Sequence, residues 1–435
     1  MSDTSADGIL TEAGDRPVRD PFRYLMGLAR THGPVAPYRA GTERAYLVDD
    51  AELIKHVLAD NHANYSKGTF INSQFKEAVA DGLLTLEGPQ WRQERRLMQP
   101  AFHRERLNAL GTGMTDATLT MLDRWEEIAD TGRVVDMTKE MGSLTMTITA
   151  RALFGSDIAE DVEEIGRQIA AGVAMLAAPH KPEFQLAKRH LVEIVDDLIA
   201  ARRANPHGDT DLLTMLMEAR DEDTGEAMGD EQLRDEVVTL ILAGYDTTAN
   251  SLSWTWFLLA RNPEVLDRVR AEQAAILGGR VPGFRDLGLL PYTRRMLDES
   301  LRLYPPAWIL GRRALGPDRL GDVDIPAGTV LALSPYVTHR NPRYWADPER
   351  FDPDRFRDLR AAEKQPFAYF PFGGGPRLCI GHNMAVLEAQ LIVATVAQRF
   401  DLRLVDGHDV VPHRLFVLRP RGGLPMTIHR LAAAA

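Results

Sequence analysis

Twenty-four mostly apolar residues, Val237 to Ala260, limit what this chain can become more than any other feature in it. A run of that length could cross a bilayer. Asp246 near its centre would cost roughly 2.5–3.5 kcal/mol there, and mixed polar and apolar sequence flanks the run by more than a hundred residues on each side. A helix that is apolar all round fits better in the core of a large folded chain. The 435 residues are enough to bury it, and 44% hydrophobic with 26% charged residues is a globular composition.

The rest of the pattern is mainly α with minor β. Apolar periodicity and end signals predict helices at Pro89–Gln99, Leu107–Ala129, Leu144–Leu153, Glu160–Ala177, Glu183–Ala204, Asp211–Ala219, Asp230–Arg261, Pro263–Leu277, Pro291–Leu303 and Ile380–Phe400. Val35–Arg39 and Ala45–Val48 read as a hairpin, followed by a helix that Asp49 or Asp50 caps and that runs to Leu58. Short strands fit Gly328–Leu333, Leu402–Val405 and Met426–His429. No repeat or linker divides the chain, so residues 1–435 are expected to form one domain, with about 1–20 and 432–435 as frayed tails. The acidic N-terminus lacks an apolar run and reads as neither signal peptide nor anchor. A net charge of −11 gives no global pull toward nucleic acid or anionic lipid. The single cysteine, Cys379, excludes an intrachain disulfide and any multi-cysteine metal centre, in keeping with a reducing cytoplasm.

That cysteine lies in Phe370-Pro-Phe372-Gly373-Gly374-Gly375-Pro376-Arg377-Leu378-Cys379-Ile380-Gly381, just before an apolar helix. A lone cysteine is more often a small buried hydrophobe. Here three glycines strip the loop of side chains so that another group can approach, and a helix N-terminus favours the thiolate. The loop therefore suits a solitary metal–thiolate bond. Three further patterns carry polar chemistry. Glu299 and Arg302 share one helix face and can pair, worth ~0.5 kcal/mol if exposed. Asp246 and Thr247, within Ala243-Gly244-Tyr245-Asp246-Thr247-Thr248, put an acid and an alcohol in the middle of an apolar helix, where they are costly unless paired or functional. The Thr247 hydroxyl can also bond back to the carbonyl four residues earlier. Trp91 and Arg95, four apart, offer two donors and no acceptor, as an anion needs, or else form a surface cation–π pair. None of the twelve histidines shows metal-ligand spacing.

Phe372, Gly375, Arg377, Cys379 and Gly381 stand at the spacing F-x-x-G-x-R-x-C-x-G, which resembles the heme-binding loop of cytochrome P450. The resemblance covers nearly the whole chain, with the other motifs in family order. It implies the cytochrome P450 fold, a long central helix over a heme b with small sheets at the periphery. It makes Cys379 the axial ligand of the heme iron, a thiolate that favours O–O cleavage. Phe372, Gly373, Gly381, Ala243 and Gly244 would lie against the cofactor. Arg377, Trp91, Arg95 and Arg312 would meet the propionates, with Arg313 as the alternative register for Arg312. Asp246 would relay protons and Thr247 would hydrogen-bond dioxygen or a water beside it. Glu299 and Arg302 would join Arg350, from Pro348-Glu349-Arg350-Phe351, in a buried ion cluster.

The implied activity is a monooxygenase that takes two electrons from a separate ferredoxin and its NAD(P)H-dependent reductase, activates O₂ and oxidises an apolar small molecule such as a terpenoid, polyketide or aromatic peptide-derived compound. A peroxide-driven heme enzyme and a non-catalytic heme or gas-binding protein are the alternatives. Substrate contacts are expected at Phe70, Phe75, Met175, Leu176, Leu242, Thr248, Ala307, Trp308, Ile309 and Phe416, any of which could equally be core. Arg92, Arg96, Arg104 and Arg106 would make a basic docking face for the ferredoxin. The expected protein is a cytoplasmic monomer without nucleic-acid partner or membrane anchor.

Overall fold

The computed structural model describes residues 18, 20–40, 43–70, 72–73, 76, 81–155, 182–204, 211–221, 223–357, 365–414 and 417–431. Its helices are α1 (Pro21–His32), α2 (Ala51–Lys55), α3 (Gly88–Met98), α4 (Arg104–Ile128), α5 (Met137–Phe154), α6 (Pro182–Ala204), α7 (Leu212–Glu218), α8 (Asp230–Arg261), α9 (Pro263–Leu277), α10 (Pro291–Leu303), α11 (Pro335–Thr338) and α12 (His382–Val396). Proline in the first turn opens α1, α3, α9, α10 and α11, where its missing N–H costs nothing. Asp20, Asp50, Asp136 and Asp211 each cap a helix with a side-chain oxygen. The Asp136 cap starts α5 at Met137, earlier than the apolar period alone placed it. At the other end of the chain α12 stops at Val396, because Phe400 leaves the helical path to pair with Arg430.

The central apolar run lies in α8, whose observed ends match those expected from the sequence. Acids at Asp230 and Glu231 complement its positive end, and Asn262-Pro263 stops it. Every residue from Thr248 to Leu259 is buried. Ser253 and Thr255 satisfy their hydroxyls on the carbonyls four residues back, so these two polar positions of the core helix are not orphaned. Leu252, Trp254 and Trp256 join one apolar cluster with Leu391 and Ile392 of α12, while Leu233, Val237 and Ile241 join another with Trp91 and Leu97 of α3. No helix among the described residues is long and apolar enough to cross a membrane.

The strands are β1 (Val35–Ala40), β2 (Glu43–Val48), β3 (Tyr65–Ser66), β4 (Val134–Asp136), β5 (Leu310–Ala314), β6 (Asp318–Leu320), β7 (Val323–Ile325), β8 (Val330–Leu333), β9 (Phe400–Leu404), β10 (Pro412–Arg414), β11 (Leu418–Pro420) and β12 (Pro425–Arg430). The expected hairpin forms with Val35 opposite Val48. It continues into a sheet of order β1-β2-β8-β5-β3, parallel only between β2 and β8. β5 was not expected as a strand. The helix expected at Glu160–Ala177 lies outside the described residues.

Candidate functional site

The loop before α12 is shaped by what its glycines leave out. Gly373 and Gly375 have φ of +73° and +64°, a region that favours glycine. A Cβ on Gly375 would sit 1.9 Å from the Leu58 carbonyl oxygen, and one on Gly374 would meet the Phe367 ring at 2.3 Å. The loop is thus pressed onto the turn His56–Asp60 with no space for a side chain. The Cys379 N–H donates to Phe372 O at 3.0 Å, and α12 begins three residues later. The thiol is accessible although protein surrounds it, so it forms part of an inner wall. Burial pushes it up, while the Gly381 N–H, Arg95 and Lys67 oppose that shift.

Around the sulfur the structure gathers cations. Arg95 donates to Leu378 O at 2.9 Å, and the Arg377 guanidinium lies 4.2 Å from the Trp91 ring centre while donating to Leu86 O. Arg312 is buried and bonds only its neighbour's carbonyl, Gly311 O, among the described contacts. Strand alternation in β5 turns Arg313 the other way, onto Glu43 and Gly68 O, and leaves Arg312 beside Arg377 and Glu87. Lys67 was not singled out from the sequence. Its Nζ donates to Leu84 O, and burial, then Arg312 and Arg377, push it down to about 7. Arg312 is pushed down to about 10 by burial and then by Arg377. Among the described residues, Glu87 is the one carboxylate acting on all three of Lys67, Arg312 and Arg377. Three crowded cations facing a single acid call for a further anion, and two propionates would supply it. The residues present fit a heme with its sulfur ligand at Cys379.

On α8, Thr247 donates to Ala243 O at 2.8 Å, as its position in the helix led us to expect. Asp246 points elsewhere, about 100° round the helix: its Oδ2 accepts from Arg419 of β11 at 3.0 Å and its Oδ1 from Asn250 at 3.0 Å. Burial raises its pKa, while Arg419 and then Asn250 oppose that. Ala243 is exposed, whereas Gly244 faces Thr149 of α5, where a Cβ would lie in ordinary contact at 3.6 Å.

The ion cluster forms with a different member. Arg302 grips both oxygens of Glu299 at 2.6 and 2.9 Å, and both side chains are fully buried. The second cation is Arg355, at 3.2 Å from Glu299, and not Arg350, which is exposed and contributes only its carbonyl to Arg302. The reason is the path of the chain: the turn at Asp347–Arg350 sends the Arg350 side chain outward, and the Pro353–Phe356 turn brings Arg355 back. Arg302 also donates to His339 O, and the His339 Nε2 accepts from the Phe370 N–H at 2.9 Å. Burial keeps that imidazole neutral. The cluster is thereby tied to the root of the cysteine loop.

Of the expected substrate contacts, Phe70 and Ile309 line one groove of about 850 Å³ that Glu87 also borders. Trp308 stands in the core instead, edge-on to Phe22 with ring centres 5.1 Å apart. Thr248 is buried, Leu242 packs on the cluster that contains Val237, and Ala307 is half-buried. Phe75, Met175, Leu176 and Phe416 lie outside the described residues. On the expected docking face Arg92 and Arg106 are exposed, but Arg96 is tied to Asp221 and Asp223, each at 2.8 Å.

Comparison with known proteins gives concordant results. The family profile described as Cytochrome P450 matches residues 9–424. Cyclooctatin synthase of Streptomyces melanosporofaciens is 36% identical, over 91% of this chain and 88% of its own length. Cyclooctat-9-en-7-ol 5-monooxygenase of the same organism is 37% identical, over 89% and 86%. Pentalenene oxygenase of Streptomyces avermitilis is 32% identical, over 93% and 92%. The crystal structure of the cytochrome P450DA heme domain superimposes with a TM-score of 0.87 at 24% identity, covering 95% of this chain and 93% of that one, and speaks for the fold.

Proposed function

The chain belongs to the cytochrome P450 family, and from that premise we propose that it oxidises a terpenoid, with a heme b held by Cys379 and electrons delivered by a ferredoxin. It is a cytochrome P450 monooxygenase with a heme cofactor, which uses dioxygen, external electron donors and an apolar substrate. The terpenoid reading rests on the similarity to terpenoid-oxidising bacterial relatives. The observation that carries the site is the group formed by buried Arg312 and half-buried Lys67 and Arg377, crowded beside the Cys379 thiol with one shared carboxylate.

Each residue has its own task in this reading. Cys379 would ligate the metal, and Gly375 lets its loop pack against the Leu58 carbonyl. Arg95, Arg312, Arg377 and Lys67, with Trp91 beneath Arg377, hold the propionates. When bound, the heme supplies the reduction of dioxygen and the transfer of one oxygen atom to the substrate. Thr247, bonded in this structure to Ala243 O, orients a water at that centre, and Asp246 exchanges protons with it. The groove beside Phe70 and Ile309 admits the substrate. Glu299, Arg302 and Arg355 keep the loop's foundation rigid. The electrons come from a ferredoxin and its NAD(P)H-dependent reductase, docked at exposed Arg92 and Arg106, and the protein works as a cytoplasmic monomer.

Reduced protein under carbon monoxide should show the red-shifted absorption of sulfur-ligated heme, and Cys379→Ala should abolish it. A band that stays unshifted, or survives in Cys379→Ala, overturns the site. Pentalenene and cyclooctat-9-en-7-ol serve as probes of the substrate class. At least one should shift the ferric Soret band and be converted with ferredoxin, reductase and NADH. No shift and no product with either would reject a terpenoid of this kind.

A further inference from the structure

The cysteine loop leans on the turn His56–Asp60, which continues α2. A Cβ on Gly375 would lie 1.9 Å from Leu58 O, 2.8 Å from the Leu58 carbonyl carbon and 3.1 Å from Ala59 Cα. All three atoms are backbone, so no side-chain rotamer can absorb a shift between turn and loop. Where the turn goes Gly375 must follow, and with it Cys379 four residues on, because close-packed backbone transmits displacement. The turn itself is widened: the Asn61 N–H donates at 2.8 Å to His56 O, five residues back instead of four. Single widened turns of this kind are rare and frequently mark functional sites.

One carboxylate from a distant part of the chain holds this turn. Asp318, the first residue of β6, accepts on a single oxygen, Oδ2, from His56 Nε2 at 2.9 Å, from Asn61 Nδ2 at 3.0 Å and from the Tyr65 hydroxyl at 2.5 Å. Its Oδ1 takes the Arg319 N–H at 2.8 Å. Burial would raise this carboxyl, but Tyr65, His56, the Arg319 N–H and Asn61 hold it down to about 2. It is therefore ionised, and its bonds are charge-assisted. An ionised carboxylate only accepts, which places a proton on His56 Nε2. His56 and Asn61 are also the two residues that the widened backbone bond joins. Tyr65 belongs to β3, where it pairs with Ala314 of β5, and Lys67 follows two residues later. One anion thus clamps both the support of the cysteine loop and the strand that delivers a cation to the site. Leu58 and Tyr65 share an apolar cluster with Phe370, at the start of that loop.

We propose that Asp318 is a positioning residue for the cysteine ligand. By holding His56 and Asn61 together it seats the Leu58 carbonyl against Gly375 and so fixes the place of the Cys379 sulfur, and through Tyr65 it aligns Lys67 with Arg312. The inference rests on the reading of Cys379 as the heme ligand. Asp318 acts only through these neighbours, and outer groups that orient a metal ligand tune the metal's affinity and potential without touching it.

The test needs neither substrate nor turnover. Heme-loaded parent, Asp318→Leu, Asp318→Asn, His56→Phe and Tyr65→Phe are compared with Asp286→Ala, which loses bonds from Arg280 and the Gly283 N–H in a turn elsewhere. Four quantities are read: the iron–sulfur stretch by resonance Raman, the reduction potential, the red-shifted share of the carbon monoxide band, and hydrogen exchange at the Leu378 and Cys379 amides, which donate to Gly375 O and Phe372 O. Asp318→Leu should speed that exchange about tenfold, the size of effect that removing a buried hydrogen-bond partner has on a local opening. It should also lower the stretch, raise the potential and move part of the carbon monoxide band to the unshifted position. Asp318→Asn still presents an oxygen to the same donors and should recover most of the parental signature. Tyr65→Phe, which cuts only the strand arm, should leave the stretch in place and speed heme loss. His56→Phe should repeat the Asp318→Leu changes at smaller size, and it keeps the inference falsifiable if Asp318→Leu does not fold: parental stretch and exchange in His56→Phe then overturn it. If Asp318→Leu and His56→Phe lose stability as Asp286→Ala does, while stretch, potential and exchange stay parental, Asp318 supports the fold alone and the inference falls. A parent without the red-shifted band defeats the reading of Cys379 instead, and exchange at Leu378 and Cys379 still decides whether Asp318 holds the loop.

Discussion

Two pairs of buried groups, both inside the helical core, deal with charge in opposite ways. Glu299 and Arg302 are fully buried and fully engaged: Glu299 accepts from Arg302, from Arg355 and from the Asp352 N–H, and Arg302 donates to the carbonyls of His339, Pro348 and Arg350. Glu94 of α3 and Glu236 of α8 are just as deeply buried, but among the described residues Glu94 Oε2 and both oxygens of Glu236 lack a well-formed hydrogen bond from a donor. Burial, and then Glu94, push Glu236 up to about 10, so it is neutral at physiological pH and can donate its own proton to Glu94. One site matches its charges and the other removes one. Equal depth therefore does not imply equal electrostatics, because a buried carboxylate needs either cations and N–H groups or a proton.

The sharpest way to break the contrast is Arg302→Met, which strands Glu299 in the core. It should cost about 3–5 kcal/mol, read by chemical denaturation, and it should lower heme occupancy because the His339 link to the cysteine loop goes with it. Arg355→Met removes one of two cations and should cost about 1–3 kcal/mol. Arg350→Met should stay within about 0.5 kcal/mol, and an equal loss at positions 350 and 355 would contradict the geometry.

The acid pair has its own signature in pH. The Glu236 pKa is raised in the folded protein above its unfolded value of roughly 4.3, so the folded state holds the extra proton. Its contribution to stability is complete below the unfolded pKa and is lost as pH rises toward about 10. Glu236→Gln, which needs no proton, should unfold within about 1 kcal/mol of the parent near pH 5 and lose less on the way to pH 9. Parallel stability curves for the two proteins would show that Glu236 does not carry the proton. The same direction applies more weakly at Glu388 of α12, which burial alone pushes up to about 8.

Much of the fold could be read along the chain because its signals are local. α8, α9 and α10 end where proline, asparagine and glycine stand in the sequence, and the cysteine loop announces itself by three consecutive glycines. What could not be read depends on which way a chain segment turns after it meets the rest of the protein. Pro348-Glu349-Arg350-Phe351 and Pro353-Asp354-Arg355-Phe356 carry the same P-x-R-F pattern five residues apart, and only the tertiary path decides which arginine reaches Glu299. Trp308 looked like a pocket wall until α1 brought Phe22 against it. Lys67 follows a two-residue strand with no pattern of its own, and its burial near Arg312 comes from the pairing of β3 with β5. Arg419 is 173 residues from Asp246 in the chain, beyond the reach of any helical or strand period.

The missing side chain at Gly375 bears on the order in which the protein can be made. The carbonyl it rests against belongs to Leu58, which leaves the ribosome 321 residues before Cys379, the cysteine it steadies. Lys67, Trp91 and Arg95 must therefore wait, folded or not, for a sulfur translated long after them. A chain cut short before that loop would hold much of a positively charged cradle without Cys379, so on the proposed reading the cofactor cannot be captured until the loop has been made.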